Sequence, residues 1–427
     1  MSFKLLRIIF CWFLLLIVFQ SGSLSAYAGR DDTVHKVRLV WDSLPDAVMY
    51  EVVITDKPGA GSSQGSGNII LTKNVSAPGV ELDGAIMANG SQSLWWQVRA
   101  LNLDLRPISA FTPARKLEEG EFDPAAPRTT ADLDKLAIMP LYPAYSWIPV
   151  LNASDYQVQI LSAPAQSDNS QVSDILIRSY KINNQVSFDC YDEHAYTEEG
   201  TYWWRVAALD QQGRVMGNWS ESLPFIVQRT GTAIATLGDS VTHGGGAVSN
   251  PPCDPAYSWT TYVGFPVRNL GKSGDTTGTM AERFRHDVLP FHPEILLIMG
   301  GVNDIRGGTR AAEVIENLSV IREQCRDNGI IPVFLTLTPV NPAAIKRVFN
   351  QASAPDWQEE WSKVNNWIKK QPYFVDIAPL LVDDNGLLAA KFATDGLHPD
   401  TQGKSLIGHA VGEYLQINFS GYVNKNR

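Results

Sequence analysis

A serine and a histidine in the C-terminal part of the chain have neighbours that suit nucleophilic catalysis. Ser240 lies in the segment Gly-Asp-Ser-Val-Thr-His-Gly, directly after an apolar stretch. A free serine hydroxyl is a weak nucleophile and needs a base beside it. His398 is the candidate base, and Asp395, three residues before it, can accept a hydrogen bond from one imidazole nitrogen and fix the tautomer. We therefore predict a catalytic triad of Ser240, His398 and Asp395.

Two further segments could stabilise the negative charge that develops when a serine attacks a carbonyl group. Gly274 lies in a loop over residues 269–276, where the absence of a Cβ lets a backbone N–H approach a ligand closely. Asn303 lies in the segment Gly-Val-Asn-Asp and carries an amide that can donate a hydrogen bond. Together with Ser240 itself, Gly274 and Asn303 are the predicted oxyanion hole.

Other polar residues near these segments are weighed against the triad. His243 could line the pocket, and we expect a structural role or one at the edge of the substrate. Asp304 is an alternative triad acid, but Asp395 is preferred because its spacing to the histidine is local. His286 and His292 flank a proline in a connection and are expected to be exposed.

Alternating apolar and amphipathic segments must position these residues. Apolar, strand-like runs occur at residues 232–237, 295–299, 331–337 and 373–377, and helical spacing of apolar residues occurs at 311–328 and 357–370. Such alternation predicts a parallel sheet covered by helices on both faces. Ligands bind at the carboxyl ends of the strands of such a sheet, where Ser240 and Asn303 are expected.

The four segments, taken in order, resemble the SGNH (GDSL-type) hydrolase family. Ser240, Gly274, Asn303 and His398 correspond to the four residues for which that family is named, and no catalytic position departs from its pattern. The resemblance extends over about residues 230–416, and the predicted catalytic domain over residues 230–420. It implies a flavodoxin-like α/β/α fold and ester hydrolysis through an acyl-enzyme, without a metal or another cofactor.

The N-terminal half contains an internal repeat. Trp41 and Trp147 are each followed by the alternation Tyr-x-Val-x-Ile nine residues later, and a Trp-Trp segment recurs at Trp96 and Trp204. Alternation of this kind puts apolar side chains on one face of a strand. The period of about 100 residues predicts two all-β sandwiches. The segments resemble fibronectin type III-like domains, at residues 34–116 and 129–228, although other immunoglobulin-like sandwiches share this patterning.

The segments between these units predict domain boundaries. Pro-Ala-Ala-Pro at residues 124–127 predicts a stiff linker between the two sandwiches. Residues 228–231 are short and polar, which predicts a boundary that few contacts cross. We therefore expect the catalytic domain to be separable, with no residue of the sandwiches needed for bond cleavage.

The N-terminus and the charge bear on localisation and partners. Lys4 and Arg7 precede an apolar run at residues 8–19, and Ala-Tyr-Ala ends at residue 28. This predicts a signal peptide over residues 1–28, a secreted or periplasmic protein, and no stable membrane insertion after cleavage; an uncleaved anchor is the alternative. The net charge of -10 argues against nucleic acid as a partner.

The mature chain is predicted to contain few cysteines. Cys190, Cys253 and Cys325 remain after signal cleavage, so at most one intramolecular disulfide can form. Cys253 and Cys325 are the candidate pair because both lie in the catalytic domain, and isolated buried thiols are the alternative. No cysteine or histidine cluster has metal-ligand spacing.

The expected substrate is an acylated small molecule or polysaccharide. Export and accessory sandwiches favour a carbohydrate esterase that removes acetyl or other short acyl groups. A lysophospholipase or thioesterase is the alternative, but the loops after Ser240 and Thr338 carry mostly polar and small residues rather than an apolar trough. A third possibility is an inert domain in an adhesion or binding protein, which loss of Ser240, Asn303 or His398 would have favoured.

Overall fold

The fold is described from a computed structural model. It describes residues 35–58, 67–87, 93–131, 133–166, 172–183, 188–248 and 250–424. The predicted signal peptide, residues 1–28, lies outside the described residues. Within those ranges, no helix has both the length and the apolar composition needed to cross a membrane.

The first unit of the chain is built from antiparallel strands. They are β1 (Lys36–Val40), β2 (Met49–Thr55), β3 (Ile69–Val75), β4 (Gly79–Asp83), β5 (Trp95–Leu101), β6 (Arg115–Lys116) and β7 (Glu121–Phe122). The strands form two sheets, ordered β4-β1-β7 and β3-β2-β5-β6. Leu39, Val52 and Trp96 belong to one buried cluster between these sheets, so that the unit is a β-sandwich.

The second unit repeats this arrangement. Its strands are β8 (Ala144–Ser146), β9 (Asp155–Leu161), β10 (Leu176–Ile182), β11 (Asp189–Tyr191), β12 (Gly200–Leu209) and β13 (Leu223–Val227). The two sheets are ordered β10-β9-β12-β13 and β11-β8. Tyr145, Val158 and Trp204 lie in the shared core of this second sandwich.

The predicted repeat is confirmed by the register of equivalent strands. In the first sandwich β2 pairs with β5 through Tyr50↔Ala100, Val52↔Val98 and Ile54↔Trp96, and in the second β9 pairs with β12 through Tyr156↔Ala208, Val158↔Val206 and Ile160↔Trp204. Since a slip of one residue would turn every side chain to the opposite face, the shared register keeps the same apolar set in each core. Whether these sandwiches are fibronectin type III-like stays a prediction.

The C-terminal part contains a parallel sheet. Its strands are β14 (Ile234–Gly238), β15 (Arg268–Asn269), β16 (Ile295–Met299), β17 (Ile331–Leu335) and β18 (Phe374–Val375). They are ordered β15-β14-β16-β17-β18, and every pairing is parallel. Counted along the chain this order is 2-1-3-4-5, as in flavodoxin-type doubly wound sheets. The predicted parallel sheet is confirmed.

Helices alternate with these strands. They are α1 (Ser240–His243), α2 (Thr277–Asp287), α3 (Val302–Gly307), α4 (Ala311–Asp327), α5 (Pro342–Phe349), α6 (Trp357–Ile368), α7 (Thr401–Asn418) and α8 (Ser420–Asn424). The two helices predicted from apolar spacing correspond to α4 and α6 and are confirmed within two residues at each end. Right-handed crossover connections in this strand order place helices on both faces of the sheet.

The predicted lack of contacts across residues 228–231 is wrong. Leu141 and Tyr142, from the second sandwich, belong to the hydrophobic core of the α/β domain. The carboxylate of Asp46, in the first sandwich, accepts hydrogen bonds from the backbone and hydroxyl of Thr401 at 2.9 Å each. The polar composition of residues 228–231 marks where the chain passes between units, but it carries no information about which loops dock.

The disulfide between Cys253 and Cys325 is not formed. Neither sulfur is in a disulfide and both side chains are buried, and Cys190 is a buried thiol as well. Cys253 packs in the core of the second sandwich, with its sulfur 3.4 Å from the hydroxyl of Ser146, whereas Cys325 packs in the core of the α/β domain. The candidate pair fails because the two residues lie in different cores, although the segment that carries Cys253 follows β14 in sequence.

Candidate active site

The predicted site residues follow neighbouring strands of the parallel sheet. Ser240 begins α1 immediately after β14. The strands on either side of β14 are β15, which leads to the loop with Gly274, and β16, which leads to α3 with Asn303. Because the carboxyl ends of parallel strands meet at one edge of a sheet, both loops flank Ser240.

The turn that presents Ser240 is fixed by its two preceding residues. A Cβ on Gly238 would lie 2.3 Å from the hydroxyl of Thr242 and 2.4 Å from the carbonyl of Met299, so only glycine fits at the end of β14. The side chain of Asp239 accepts a hydrogen bond from the Val241 N–H at 2.9 Å and caps α1. Burial raises the pKa of Asp239 to about 7, against the lowering effect of that hydrogen bond.

The structure brings Ser240, His398 and Asp395 together. The Ser240 Oγ lies 3.0 Å from His398 Nε2, and His398 Nδ1 lies 2.8 Å from Asp395 Oδ2. The second oxygen of Asp395 accepts hydrogen bonds from the backbone N–H groups of Leu397 and His398, at 2.7 and 2.8 Å. An ionised acceptor at Nδ1 keeps a proton on that nitrogen, which leaves Nε2 free to accept the serine proton.

The Asp395 carboxylate is buried, yet it stays ionised. Its exposed fraction is 1%, and burial alone would raise its pKa. The charge of His398 and the hydrogen bonds from His398 and Leu397 outweigh burial and hold the pKa below its ordinary value. The site therefore holds a fixed negative charge behind the imidazole.

Two of the residues predicted to form the oxyanion hole, Gly274 and Asn303, lie on a loop and on α3, which a hydrogen bond connects. Gly274 has φ of +89°, a backbone conformation that side chains other than glycine rarely adopt. The Asn303 Nδ2 donates to the Asp275 carbonyl at 2.9 Å, and the Lys272 N–H donates to the Gly238 carbonyl at 3.0 Å. An amide nitrogen carries two N–H donors, so this bond leaves Asn303 a second donor.

Two backbone donors at the site are also unengaged by the described residues. Among those residues, none accepts a hydrogen bond from the N–H of Ser240 or of Gly274. The first N–H groups of a helix have no partner within the helix, which accounts for Ser240. Such groups can donate to an oxygen atom that approaches the serine.

The residues set aside from the triad have other partners. Asp304 accepts hydrogen bonds from the backbone N–H and the hydroxyl of Thr277, at the beginning of α2. His286 and His292 are exposed, as expected. His243 is 3% exposed and hydrogen-bonded at both ring nitrogens. In the described residues, no group of three or more His, Cys, Asp or Glu side chains is placed to hold a metal ion.

One buried residue beside the site was missed by the sequence analysis. Lys404 on α7 is fully buried, and its Nζ donates to the Val241 carbonyl in α1 at 2.7 Å. Burial lowers its pKa to about 7, against the raising effect of the carboxylates of Asp239, Asp395 and Asp400. Lys404 lies in line with the buried face of α7, and a lysine within an apolar helical stripe is the signal that could have identified it.

Comparison with known sequences assigns a family to this domain. Residues 236–406 match the model of the GDSL-like lipase/acylhydrolase family, about two fifths of the chain. These residues form a GDSL-like lipase/acylhydrolase domain. The uncharacterized lipoprotein YqeF of Bacillus subtilis (strain 168) is 36% identical over 80 residues, 17% of this chain and 33% of that protein. The chain thus spans about a third of the length of this curated relative.

Some solved structures are also similar to part of this chain. A lipase/acylhydrolase from Enterococcus faecalis is 22% identical, with a TM-score of 0.35, and the match covers 43% of this chain and 94% of that one. A mutant of Axe2, an acetyl-xylooligosaccharide esterase from Geobacillus Stearmophilus, is 20% identical with a TM-score of 0.32. That match covers 45% of this chain and 97% of the esterase.

Proposed function

We propose that this protein is a serine esterase that hydrolyses carboxylic esters through an acyl-enzyme, with Ser240, His398 and Asp395 as its triad. The observation that carries the proposal is the chain of contacts from Ser240 Oγ to His398 Nε2 at 3.0 Å and from His398 Nδ1 to Asp395 at 2.8 Å. A serine within hydrogen-bond reach of a histidine that is itself oriented by a carboxylate is the arrangement that activates this nucleophile.

In the proposed reaction Ser240 attacks the acyl carbonyl carbon while His398 Nε2 takes the hydroxyl proton. The carbonyl oxygen becomes an oxyanion, which accepts hydrogen bonds from the N–H groups of Ser240 and Gly274 and from the Asn303 amide. His398 then gives its proton to the leaving alkoxide, and the alcohol departs. Water, deprotonated by His398, releases the acid and restores Ser240.

The proposed substrate is an ester of a short acyl group, acetyl above all, on an extracellular carbohydrate. A lipid substrate needs an apolar surface for its long chain. In the described residues, none of the large exposed hydrophobic side chains lies on the site loops at residues 239–248, 270–276, 301–308 or 394–400. Secretion is part of the proposal and is supported by the signal pattern at residues 1–28.

A panel of esters tests the substrate class. The full chain is assayed with p-nitrophenyl esters of increasing acyl length, and then for acetate release from acetylated polysaccharides. We expect kcat/KM to be highest for acetate and to fall with chain length, with acetate released from at least one polysaccharide. A kcat/KM that rises with chain length would instead support the second candidate, a lysophospholipase or thioesterase. If no ester is hydrolysed, the remaining candidate is a binding or adhesion protein with an inert domain.

The sandwiches are proposed to belong to the fibronectin type III-like class, at residues 34–116 and 129–228, with the catalytic domain at 230–420. The shared register of β2 with β5 and of β9 with β12 supports their common origin as two copies of one unit. These proposed boundaries leave the reacting groups in the last domain, while contacts from both sandwiches reach it.

A further inference from the structure

A loop of the second sandwich enters the α/β domain beside the nucleophile. We call residues 139–143 the docking loop; its Leu141 and Tyr142 are 2% and 4% exposed. The Leu141 N–H donates to the Asn269 carbonyl at 2.9 Å, and the Tyr142 hydroxyl donates to Asp287 at 2.5 Å. The docking loop is therefore held by both its backbone and a side chain.

The contacts of His243 fix its tautomer. The backbone N–H of Ser273 donates to His243 Nδ1 at 3.2 Å, and the Ser273 hydroxyl lies 2.9 Å from the same nitrogen. A backbone N–H can only donate, so Nδ1 carries no proton. The neutral ring then has its proton on Nε2, which lies 2.6 Å from the Tyr142 carbonyl and donates to it. Burial lowers the pKa of His243 to about 4, consistent with a neutral ring.

These bonds join three parts of the site. His243 is the last residue of α1, which Ser240 begins, and Ser273 directly precedes Gly274. The loop and α1 are in close backbone contact, because a Cβ on Gly271 would lie 2.3 Å from the backbone nitrogen of His243. Because Nδ1 accepts the hydrogen bond from the Ser273 N–H, a shift of the imidazole moves the acceptor of the residue directly before Gly274.

We propose that His243 is a positioning residue that joins the docking loop to the loop carrying Gly274, so that the oxyanion hole takes its reactive geometry only while the second sandwich is docked. The inference rests on the proposed function, because it assigns a role within the same site. It replaces the expectation that no sandwich residue contributes to bond cleavage. The contributing sandwich group is the backbone carbonyl of Tyr142, which acts through His243 and touches no substrate.

Because the His243 ring is buried, the loss of either of its hydrogen bonds, to the Tyr142 carbonyl or from the Ser273 N–H, is costly. The Tyr142 carbonyl and the Ser273 N–H are satisfied through one imidazole, and an apolar side chain at position 243 would leave both without that partner. The loop would then move toward other partners or toward water. A displacement of about 1 Å in a catalytic group costs on the order of 100-fold in rate.

The test compares full-length variants in ester hydrolysis. His243→Leu removes both hydrogen bonds at similar volume, and we expect kcat to fall about 30- to 100-fold with KM changed less than about threefold, because the oxyanion hole acts on the transition state. His243→Gln carries one donor and one acceptor, and it should recover part of the lost kcat. Thermal unfolding of each variant establishes that it is folded at the assay temperature.

Asp46→Asn is the matched control, since it weakens the docking of the first sandwich without touching His243. Its kcat should stay within about threefold of the wild-type value, as expected for a substitution away from the transition-state donors. The proposal is overturned if folded His243→Leu keeps kcat within threefold, or if Asp46→Asn loses as much kcat as His243→Leu. Failure of the proposed function itself looks different: the wild-type protein would then show no hydrolysis that depends on Ser240.

Discussion

Two buried ionisable side chains near Ser240 differ in their charge, although burial favours the neutral form of each. Asp395 remains a carboxylate because the charge and hydrogen bonds of His398 outweigh the cost of burial. His243 faces a carbonyl and a backbone N–H instead, and burial keeps it neutral. The two histidines near the nucleophile thus differ in the groups that contact their ring nitrogens. Only His398 has a neighbouring fixed negative charge, which stabilises an imidazolium ion during catalysis.

At the scale of single residues, the oxyanion hole gives the first prediction. Asn303→Ala should lower kcat by about 100- to 1,000-fold with a smaller change in KM, because the amide donor acts mainly on the transition state. Asn303→Asp has the same shape but lacks N–H donors, and steady-state kinetics should show at least as large a loss. A kcat within threefold of the wild-type value in both variants would remove Asn303 from the hole.

The neutral state of His243 predicts how stability depends on pH. Its pKa falls from 6.5 to about 4 on folding, so between those pH values the unfolded chain binds the extra proton. Titration of this residue therefore leaves the free energy of unfolding unchanged above pH 6.5 and lowers it as the pH falls toward 4, by at most about 3 kcal/mol. Urea unfolding of the wild-type protein and of His243→Gln across this range measures the difference. Parallel pH profiles for the two proteins would contradict it.

The site residues differ in how far sequence could identify them. The three-residue spacing of Asp395 and His398 predicts their contact, and Ser240 lies in a recognisable short segment, but the contact of Ser240 with His398 spans 158 residues and was inferred from the base that a serine needs. The role of His243 depends on the Tyr142 carbonyl, 101 residues earlier in the chain, and Lys404 meets Val241 across 163 residues. Contacts at such separations follow from tertiary packing, which no local spacing encodes.

At the scale of secondary structure, α7 begins with a cap supplied from another domain. The N–H groups of the first turn of a helix need acceptors from outside the helix. The Thr401 N–H, at the first position of α7, donates to the Asp46 side chain of the first sandwich. Asp46 has φ of +63°, a conformation that Asp and Asn adopt more readily than most residues.

Replacing this cap predicts a loss of stability. In Asp46→Asn an NH₂ group takes the place of one acceptor oxygen and faces a donor of Thr401, so unfolding should become easier by about 1 kcal/mol. Asp42→Asn removes the same charge from an exposed position in the same segment and should change stability by less than about 0.5 kcal/mol. Chemical denaturation distinguishes the two variants. Equal shifts would mean that the loss of charge, rather than of the cap, is responsible.

Elements with strong periodicity were predicted well, whereas the two-residue strand β15 was not. β16 at residues 295–299 and α4 at 311–327 agree with the sequence analysis because a buried strand and an amphipathic helix of 17 residues leave clear patterns. β15 has only two residues, Arg268 and Asn269, and is too short to show an alternation of apolar and polar residues. Its place beside β14 is set by the sheet, and that place brings Gly274 to the site.

At the scale of the whole molecule, the sandwiches are docked on the α/β domain. The sequence predicted the repeat, the order of the units and the parallel sheet, because each depends on patterns within one segment. It did not predict the buried docking of Tyr142 or the placement of Cys253 in the second sandwich, since these depend on how surfaces of separate units meet. The α/β domain packs against both sandwiches, and its separability as a catalyst stays a prediction.

The most direct test of the account is active-site labelling of the full chain. The protein is treated with a fluorophosphonate, digested and mapped by mass spectrometry, while p-nitrophenyl acetate hydrolysis is followed in parallel. We predict one adduct, on the peptide that contains Ser240, with hydrolysis lost in proportion to labelling. Ser240→Ala should take up no label and hydrolyse the ester at least about 10⁴-fold more slowly, because only the oxyanion hole and substrate binding remain. An adduct on a different serine, together with hydrolysis retained in Ser240→Ala, would contradict the assignment.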